Sequence, residues 1–290
     1  ASDAAPLKPL TADAPHATTH VLVVEDDALN QTIVCRLLRH AGYRVSAVND
    51  GQGALAALRD VAYDIVLMDW QMPDMDGLEV TRRVRVGESG AAASQVPIVA
   101  LTANAFAEDR DACLAAGMND FLTKPVLATQ LRAAIERWAL RPKVTSTAAP
   151  TQATVTPAAA PPDSSRPPVF DPALLDALPM VADGSDPGYG QELLDAFMSS
   201  VPASLTTLRQ AAARGEAKTV LRLVHTLKSS SAAVGALALA ARAEAAENEL
   251  RDAPALPETL ATQLHMEFER LQNELEKRRV STPAGAYSPC

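Results

Sequence analysis

Between residues 20 and 139, short apolar runs alternate with stretches in which apolar positions recur every three or four residues. The runs are Val21–Val24, Arg44–Val48, Asp64–Met68, Pro97–Leu101 and a brief Phe121-Leu122. Their lengths suit strands, and the roughly ten residues after each suit a helix. Runs made almost wholly of Val, Ile and Leu belong to strands buried on both faces, which requires helices on either side of a parallel sheet. The pattern predicts five βα units, an α/β doubly wound five-stranded parallel sheet. Beyond residue 168 the period is helical only. Asp171-Pro172 reads as an N-cap followed by Pro at the first helical position, opening a short helix through Leu174, Leu175 and Leu178. Longer helices are expected over Gln191–Ala213, Glu216–Val234, Ala236–Arg251 and Glu258–Arg278, with Pro202 kinking the first. Short loops between amphipathic helices favour an all-α antiparallel four-helix bundle.

Composition separates the two patterns. From Arg141 to Pro168 prolines alternate with Ala, Thr and Ser, and large apolar side chains are almost lacking. This is a linker, able to extend on the order of 80 Å. The expected organisation is a disordered lead-in at 1–18, an α/β domain at 19–140, the linker at 141–168, a helical domain at 169–280 and a tail at 281–290. The net charge of -9 sets the chain against phosphate backbones and anionic membranes, and 4% aromatic residues leave few stacking platforms. Neither nucleic acid nor direct membrane contact is expected. Three scattered cysteines without ligand spacing fit a reducing, cytoplasmic compartment, with Cys35 and Cys113 structural and Cys290 an exposed thiol. The opening Ala-Ser-Asp, without an initiator Met, reads as the start of a fragment.

Doubly wound sheets bind ligands at the carboxyl ends of their strands. Glu25, Asp26 and Asp27 follow the first run, Asp69 the third, Thr102 the fourth and Lys124 the fifth. Carboxylates stand where a nucleotide-binding domain would carry a Gly-rich turn. Two of them about 4 Å apart repel by roughly 4 kcal/mol at an effective dielectric near 20, so the cluster needs a cation. All-oxygen ligands and an incomplete shell point to Mg²⁺. With the charge met, an ionised carboxylate can attack phosphorus in line, and Asp69 is the best candidate nucleophile. Thr102 would hydrogen-bond one phosphoryl oxygen and Lys124 would neutralise another. Asp27 is expected to cap the first helix, and Arg82, Arg83 and Arg85 to form a solvated helix face.

The segments VLVVEDD, DIVLMDWQMPDMDG, PIVALTANA and DFLTKP resemble the signature segments of two-component receiver domains, over essentially residues 20 to 139. The resemblance implies a flavodoxin-like fold with Asp69 as phosphoacceptor. It also implies Mg²⁺ bound by Glu25, Asp26, Asp69 and the backbone carbonyl of Gln71. Thr102 and Phe121 would be switch residues, Lys124 would neutralise the phosphate, and Pro125 falls where the family often has a cis peptide.

In the helical half, Val220, Leu223, Val224, Leu227, Ser231 and Val234 cluster on one helix face, and His225 lies about 150° from their centre. The expectation is an imidazole pointing to solvent, with Leu221, Ser229 and Ala232 as a low-relief docking surface around it. Neutral imidazole is a competent nucleophile toward phosphorus, and Lys228 could stabilise phosphoryl oxygens. HTLKSSSAAVGA resembles the motif of histidine-containing phosphotransfer (HPt) domains, over about residues 170 to 278, with Ser229 where that family usually has Gly.

The two resemblances imply a phosphorelay. Phosphate would pass from an upstream histidine kinase to Asp69, then to His225 and on to the Asp of a downstream response regulator. The pair reads as the C-terminal part of a hybrid sensor histidine kinase, whose parent could be membrane-anchored; no Gly-rich nucleotide boxes are found. The alternative is a docking module switched at Asp69 with His225 inert. A phosphatase of the haloacid-dehalogenase type would need Asp two residues after its nucleophile, where Gln71 stands.

Overall fold

The computed structural model describes residues 18–102, 107–139, 167–252 and 259–281. Nearly all of the expected lead-in, linker and tail, with Cys290, lies outside the described residues.

Five strands, β1 (His20–Val24), β2 (Arg44–Val48), β3 (Ile65–Asp69), β4 (Ile98–Thr102) and β5 (Asp120–Thr123), form one parallel sheet in the order β2-β1-β3-β4-β5. The three central strands, β1, β3 and β4, are buried at every position, which is what their unbroken apolar runs require. Helices α1 (Ala28–His40), α2 (Gly51–Asp60), α3 (Gly77–Arg85), α4 (Ala107–Ala116) and α5 (Ala128–Trp138) follow the strands in turn. Residues alternate between two cores: Val21, Val23 and Leu67 pack with α1 and α5, while Leu22, Val24 and Met68 pack with α2 and α3. The expected solvated arginine face is only partly so. Arg85 is half-buried and donates to the carbonyls of Gly117 and Ser94 and to Asn119, holding the end of α3 against the α4–β5 turn.

The turn after β3 admits one residue type at its tightest point. A Cβ on Gly77 would stand 2.2 Å from the carbonyl oxygen of Asp69, a backbone atom that cannot move without moving the strand end. Gly77→Ala is expected to cost about 2 kcal/mol or more as overpacking. A urea midpoint unchanged from wild type would contradict this.

The second half opens with two single-turn helices, α6 (Ala173–Asp176) and α7 (Pro179–Ala182), where one short helix was expected. Asp171 accepts from the Ala173 N–H and so starts α6 as foreseen. Four long helices follow: α8 (Tyr189–Ala213), α9 (Ala217–Ala233), α10 (Leu237–Asp252) and α11 (Leu260–Ser281). Helix α8 packs on α9 and α11, and α10 packs on the same two, closing a four-helix ring. The core of the bundle is continuous with that of the α/β unit through α1, whose Val34, Cys35 and Leu38 belong to the same buried cluster as Phe170, Leu175 and Met180.

Candidate functional site

Register gathers the expected carboxylates. Val24 pairs with Met68, so Glu25 and Asp26 leave β1 beside Asp69, the last residue of β3. One carboxylate oxygen from each of Glu25, Asp26 and Asp69 lies within 4.8 Å of the others. Thr102 pairs with Thr123, so Lys124 leaves β5 at the same edge. Its ammonium donates to Glu25 Oε1 at 2.9 Å and lies 2.7 Å from Glu25 Oε2 and 2.9 Å from Asp69 Oδ2. Asn30 donates to Glu25 Oε1 at 3.2 Å, and the Gln71 N–H to Asp69 Oδ1 at 3.3 Å. Asp27 caps α1, accepting from the Asn30 N–H at 2.8 Å. Thr102 is buried, Phe121 is half-buried against the Met68 core, and the Lys124-Pro125 peptide is cis.

Three carboxylates share one ammonium, and the acidities of Glu25 and Asp26 record the imbalance. Burial pushes Glu25 up to about 8; Asp69 adds to the rise and Lys124 opposes it. Burial likewise raises Asp26 to about 6, with Asp69 again adding to it. Burial alone would lower the Lys124 ammonium, but the charges of Asp69 and Glu25 outweigh it and hold it above its ordinary value. Such a cluster, with oxygen donors only and one cation too few, fits a divalent ion of the Mg²⁺ kind.

A second ionic cluster lies in the bundle. His225 Nδ1 is 2.9 Å from Glu247 Oε1, Lys228 Nζ is 2.5 Å from Glu247 Oε2, and Arg251 donates to Glu247 Oε1 at 2.9 Å. The expected solvent-facing imidazole is therefore corrected: His225 is only 6% exposed. A helical wheel assumes one covered face, whereas α9 is covered by α8 and α10 on one side and by the α/β unit on another. Ser229 and Ala232 line a cavity of about 80 Å³ together with Glu25, Lys124 and Pro125. Leu221, expected exposed, is half-buried against the shared core. Lys228, expected to await a phosphoryl group, is instead paired with Glu247.

Burial would raise the Glu247 carboxyl, but the hydrogen bond and charge of His225, joined by Lys228, hold it down at about 2. A carboxyl lowered on folding contributes stability above its unfolded value near 4.5, and that contribution is lost as pH falls toward 2. The contribution is roughly 3 kcal/mol at neutral pH. The difference in urea midpoint between wild type and Glu247→Gln should thus be largest above pH 5 and shrink as pH falls through 4 to 2. A difference independent of pH would contradict it.

Family models match both halves: the response regulator receiver domain over residues 21–136 and the Hpt domain over 192–274. The chain is a receiver domain followed by an Hpt domain. Among curated relatives, the sensor protein GacS of Pseudomonas syringae pv. syringae is 31% identical over 284 residues, 96% of this chain. The sensor histidine kinase RcsC of Salmonella typhi is 38% identical over 144 residues, half of this chain. The chain spans 28% of the first and 15% of the second. Among solved structures, the receiver domain of a sensor histidine kinase from Pseudomonas aeruginosa PAO1, with magnesium coordinated in its active-site cleft, is 42% identical. That match covers 42% of this chain and 98% of the other, with a TM-score of 0.40. A co-crystal of the Saccharomyces cerevisiae phosphotransfer protein Ypd1 with the receiver of Ssk1 also matches, at 31% identity, 43% of this chain, 91% of that one and a TM-score of 0.40.

Reading strand ends anticipated that Glu25, Asp26, Asp69 and Lys124 meet, but the helical half was read from one helix alone, and Glu247 was missed. Its signal was present. Leu239, Ala243, Ala246 and Leu250 mark the buried face of α10, and Glu247 stands within that apolar stripe. An acidic residue on a buried face needs partners, and His225, Lys228 and Arg251 are those it has. Among the described residues no helix is long and apolar enough to cross a membrane.

Proposed function

We propose that this receiver–Hpt pair is a two-step phosphoryl carrier, with Asp69 and His225 as successive acceptors. The observation that carries the reading is the meeting, in one chain, of a carboxylate cluster at the receiver strand ends with an imidazole held at Nδ1 by a buried carboxylate. In the first step an Asp69 oxygen attacks the phosphorus of a donor phosphohistidine; the new O–P bond replaces the donor N–P bond, and the donor keeps the electron pair. Lys124, 2.9 Å from Asp69, is placed to meet charge on the phosphoryl oxygens, and the Thr102 hydroxyl to donate to one of them. Mg²⁺ at Glu25, Asp26, Asp69 and the Gln71 carbonyl would supply the shielding that lets a dianion approach these carboxylates.

In the second step a ring nitrogen of His225 attacks the acyl phosphate. Glu247 accepts a hydrogen bond at Nδ1, which fixes the proton there and leaves the Nε2 lone pair as nucleophile. The N–P bond forms as the O–P bond breaks, Asp69 recovers its carboxylate, and the imidazolium is stabilised through Glu247. The cavity that Glu25, Lys124 and Pro125 share with Ser229 and Ala232 supports a direct transfer. We further place this chain between an upstream histidine kinase and a downstream response regulator, as part of a hybrid sensor kinase. The similarity to GacS over 96% of the chain supports that placement.

The test follows label from acetyl phosphate with Mg²⁺, and separately from a cognate kinase, into two chemically distinct products. Wild type should give a hydroxylamine-sensitive phosphate at Asp69 and an acid-labile, alkali-stable one at His225. Asp69→Ala should give neither from acetyl phosphate, and His225→Gln only the first. Chelation of divalent metal should abolish both. Equal labelling of Asp69→Ala would remove Asp69 from the mechanism. A His225→Gln chain that still feeds a downstream receiver would leave the bundle as a docking module with an inert histidine.

A further inference from the structure

The Hpt family model begins at residue 192, yet part of the bundle's contact with the receiver comes from residues before it. Helix α7 and the start of α8 pack on receiver helix α1. Arg36, on α1, hydrogen-bonds Asp186 and places its guanidinium carbon 4.8 Å from the centre of the Tyr189 ring. One turn further along α1, His40 Nε2 lies 2.9 Å from Asp183 Oδ2. Between these contacts and the acidic cluster, Leu174 and Leu178 line the same cavity as receiver residues Ile33 and Val34.

We propose that the segment 173–189 is a docking element, added ahead of the Hpt bundle, that recognises the Arg36/His40 end of helix α1 of the chain's own receiver. The charges are complementary in sign, basic on α1 and acidic on the bundle, and the Tyr189 ring is buried beneath the guanidinium. The ion pairs are rim contacts: side-chain exposure is 39% for Arg36 and 51% for Asp183. Pairs so placed give little affinity by themselves but set orientation and choice of partner. The apolar contacts of Leu174 and Leu178 and the face of Tyr189 supply the adhesion. A receiver without a cation at the position of Arg36 would leave Asp186 unpaired beside the ring and so bind less well. A downstream receiver must displace the chain's own one, because the surface around Ser229 and Ala232 is covered in the docked form.

The proposal deepens the relay reading but is tested without it. In the full chain, small-angle scattering and amide exchange over α1 and α9 report docking directly, and labelling of His225 is followed in the same samples. Arg36→Asp should expand the chain at physiological salt and speed exchange at the contact faces of these helices by about fivefold or more; the swap Arg36→Asp with Asp186→Arg should return both toward wild type. Circular dichroism of each variant checks that both halves remain folded. A single reversal with unchanged scattering and exchange, or a swap no better than the single change, would overturn the docking element. Docking that follows the charges while no phosphate reaches His225 would sink the relay and leave the docking element standing.

Discussion

In Lys124→Met the thermal midpoint without divalent metal should fall by about 10 °C, the equivalent of about 3 kcal/mol in a domain of this size. The ammonium bridges Glu25 and Asp69, whose side chains are 1% and 3% exposed. Taking it away leaves buried carboxylates facing one another with no cation, which costs more than never having had the pair. Mg²⁺ should recover part of the loss, since an ion that binds only the folded form stabilises it by mass action. Acceptance of phosphate should not recover, because the charge nearest the incoming oxygens is gone; a fall of about a hundredfold in labelling rate is expected. Scanning calorimetry with chelator and with millimolar Mg²⁺, set beside acetyl phosphate labelling, separates the two effects. A variant as stable as wild type in chelator would show that the bridge contributes nothing to the fold.

Glu247→Ala should combine a stability loss of about 3 kcal/mol with transfer from Asp69 to His225 slowed by about a hundredfold. Glu247 is the carboxylate that Lys228 and His225 share, and both lie in a buried setting. Without it the buried ammonium loses its carboxylate, and the imidazole proton is free to sit on either nitrogen. Glu247→Gln separates these two roles. Its amide oxygen can still accept from Nδ1–H, so transfer should be closer to wild type than in the alanine variant, while the charge lost beside Lys228 keeps the stability low. Nitrogen NMR of the His225 ring gives an independent reading: the proton should rest on Nδ1 in wild type and be shared in Glu247→Ala. Equal transfer rates in wild type and both variants would remove Glu247 from the chemistry and leave it a structural ion partner.

The difference between the two clusters explains how much could be read from the chain alone. β1, β3 and β4 announce themselves because both faces are buried and no polar residue interrupts the run. Parallel pairing then puts the next residue of each strand at one edge, so Glu25, Asp69 and Lys124 meet although they are up to 99 positions apart. β2 is an edge strand with an exposed Arg44 and carries less pattern, yet Val45 and Val48 were enough to mark it. Helix α7, four residues long, is too short for any periodicity to register. The Hpt half has no comparable rule. Facing positions on two packed helices depend on crossing angle and phase, which a wheel drawn for one helix does not contain, so His225 was placed outward and Glu247 overlooked. The burial of Ser229 depends further on the receiver pressing on the same helix, information carried by neither segment alone.

The strand order β2-β1-β3-β4-β5 has a consequence for biosynthesis. A chain leaving the ribosome produces Glu25 and Asp26 first and Asp69 some forty residues later, while Lys124, just past the last strand, comes after a still longer stretch. Through that interval a nascent receiver holds its three carboxylates with no ammonium among them. Any truncation between residues 70 and 123 would freeze it there. Closure of the sheet and neutralisation of the acidic pocket are therefore one event, set by the emergence of the fifth strand and the residue after it.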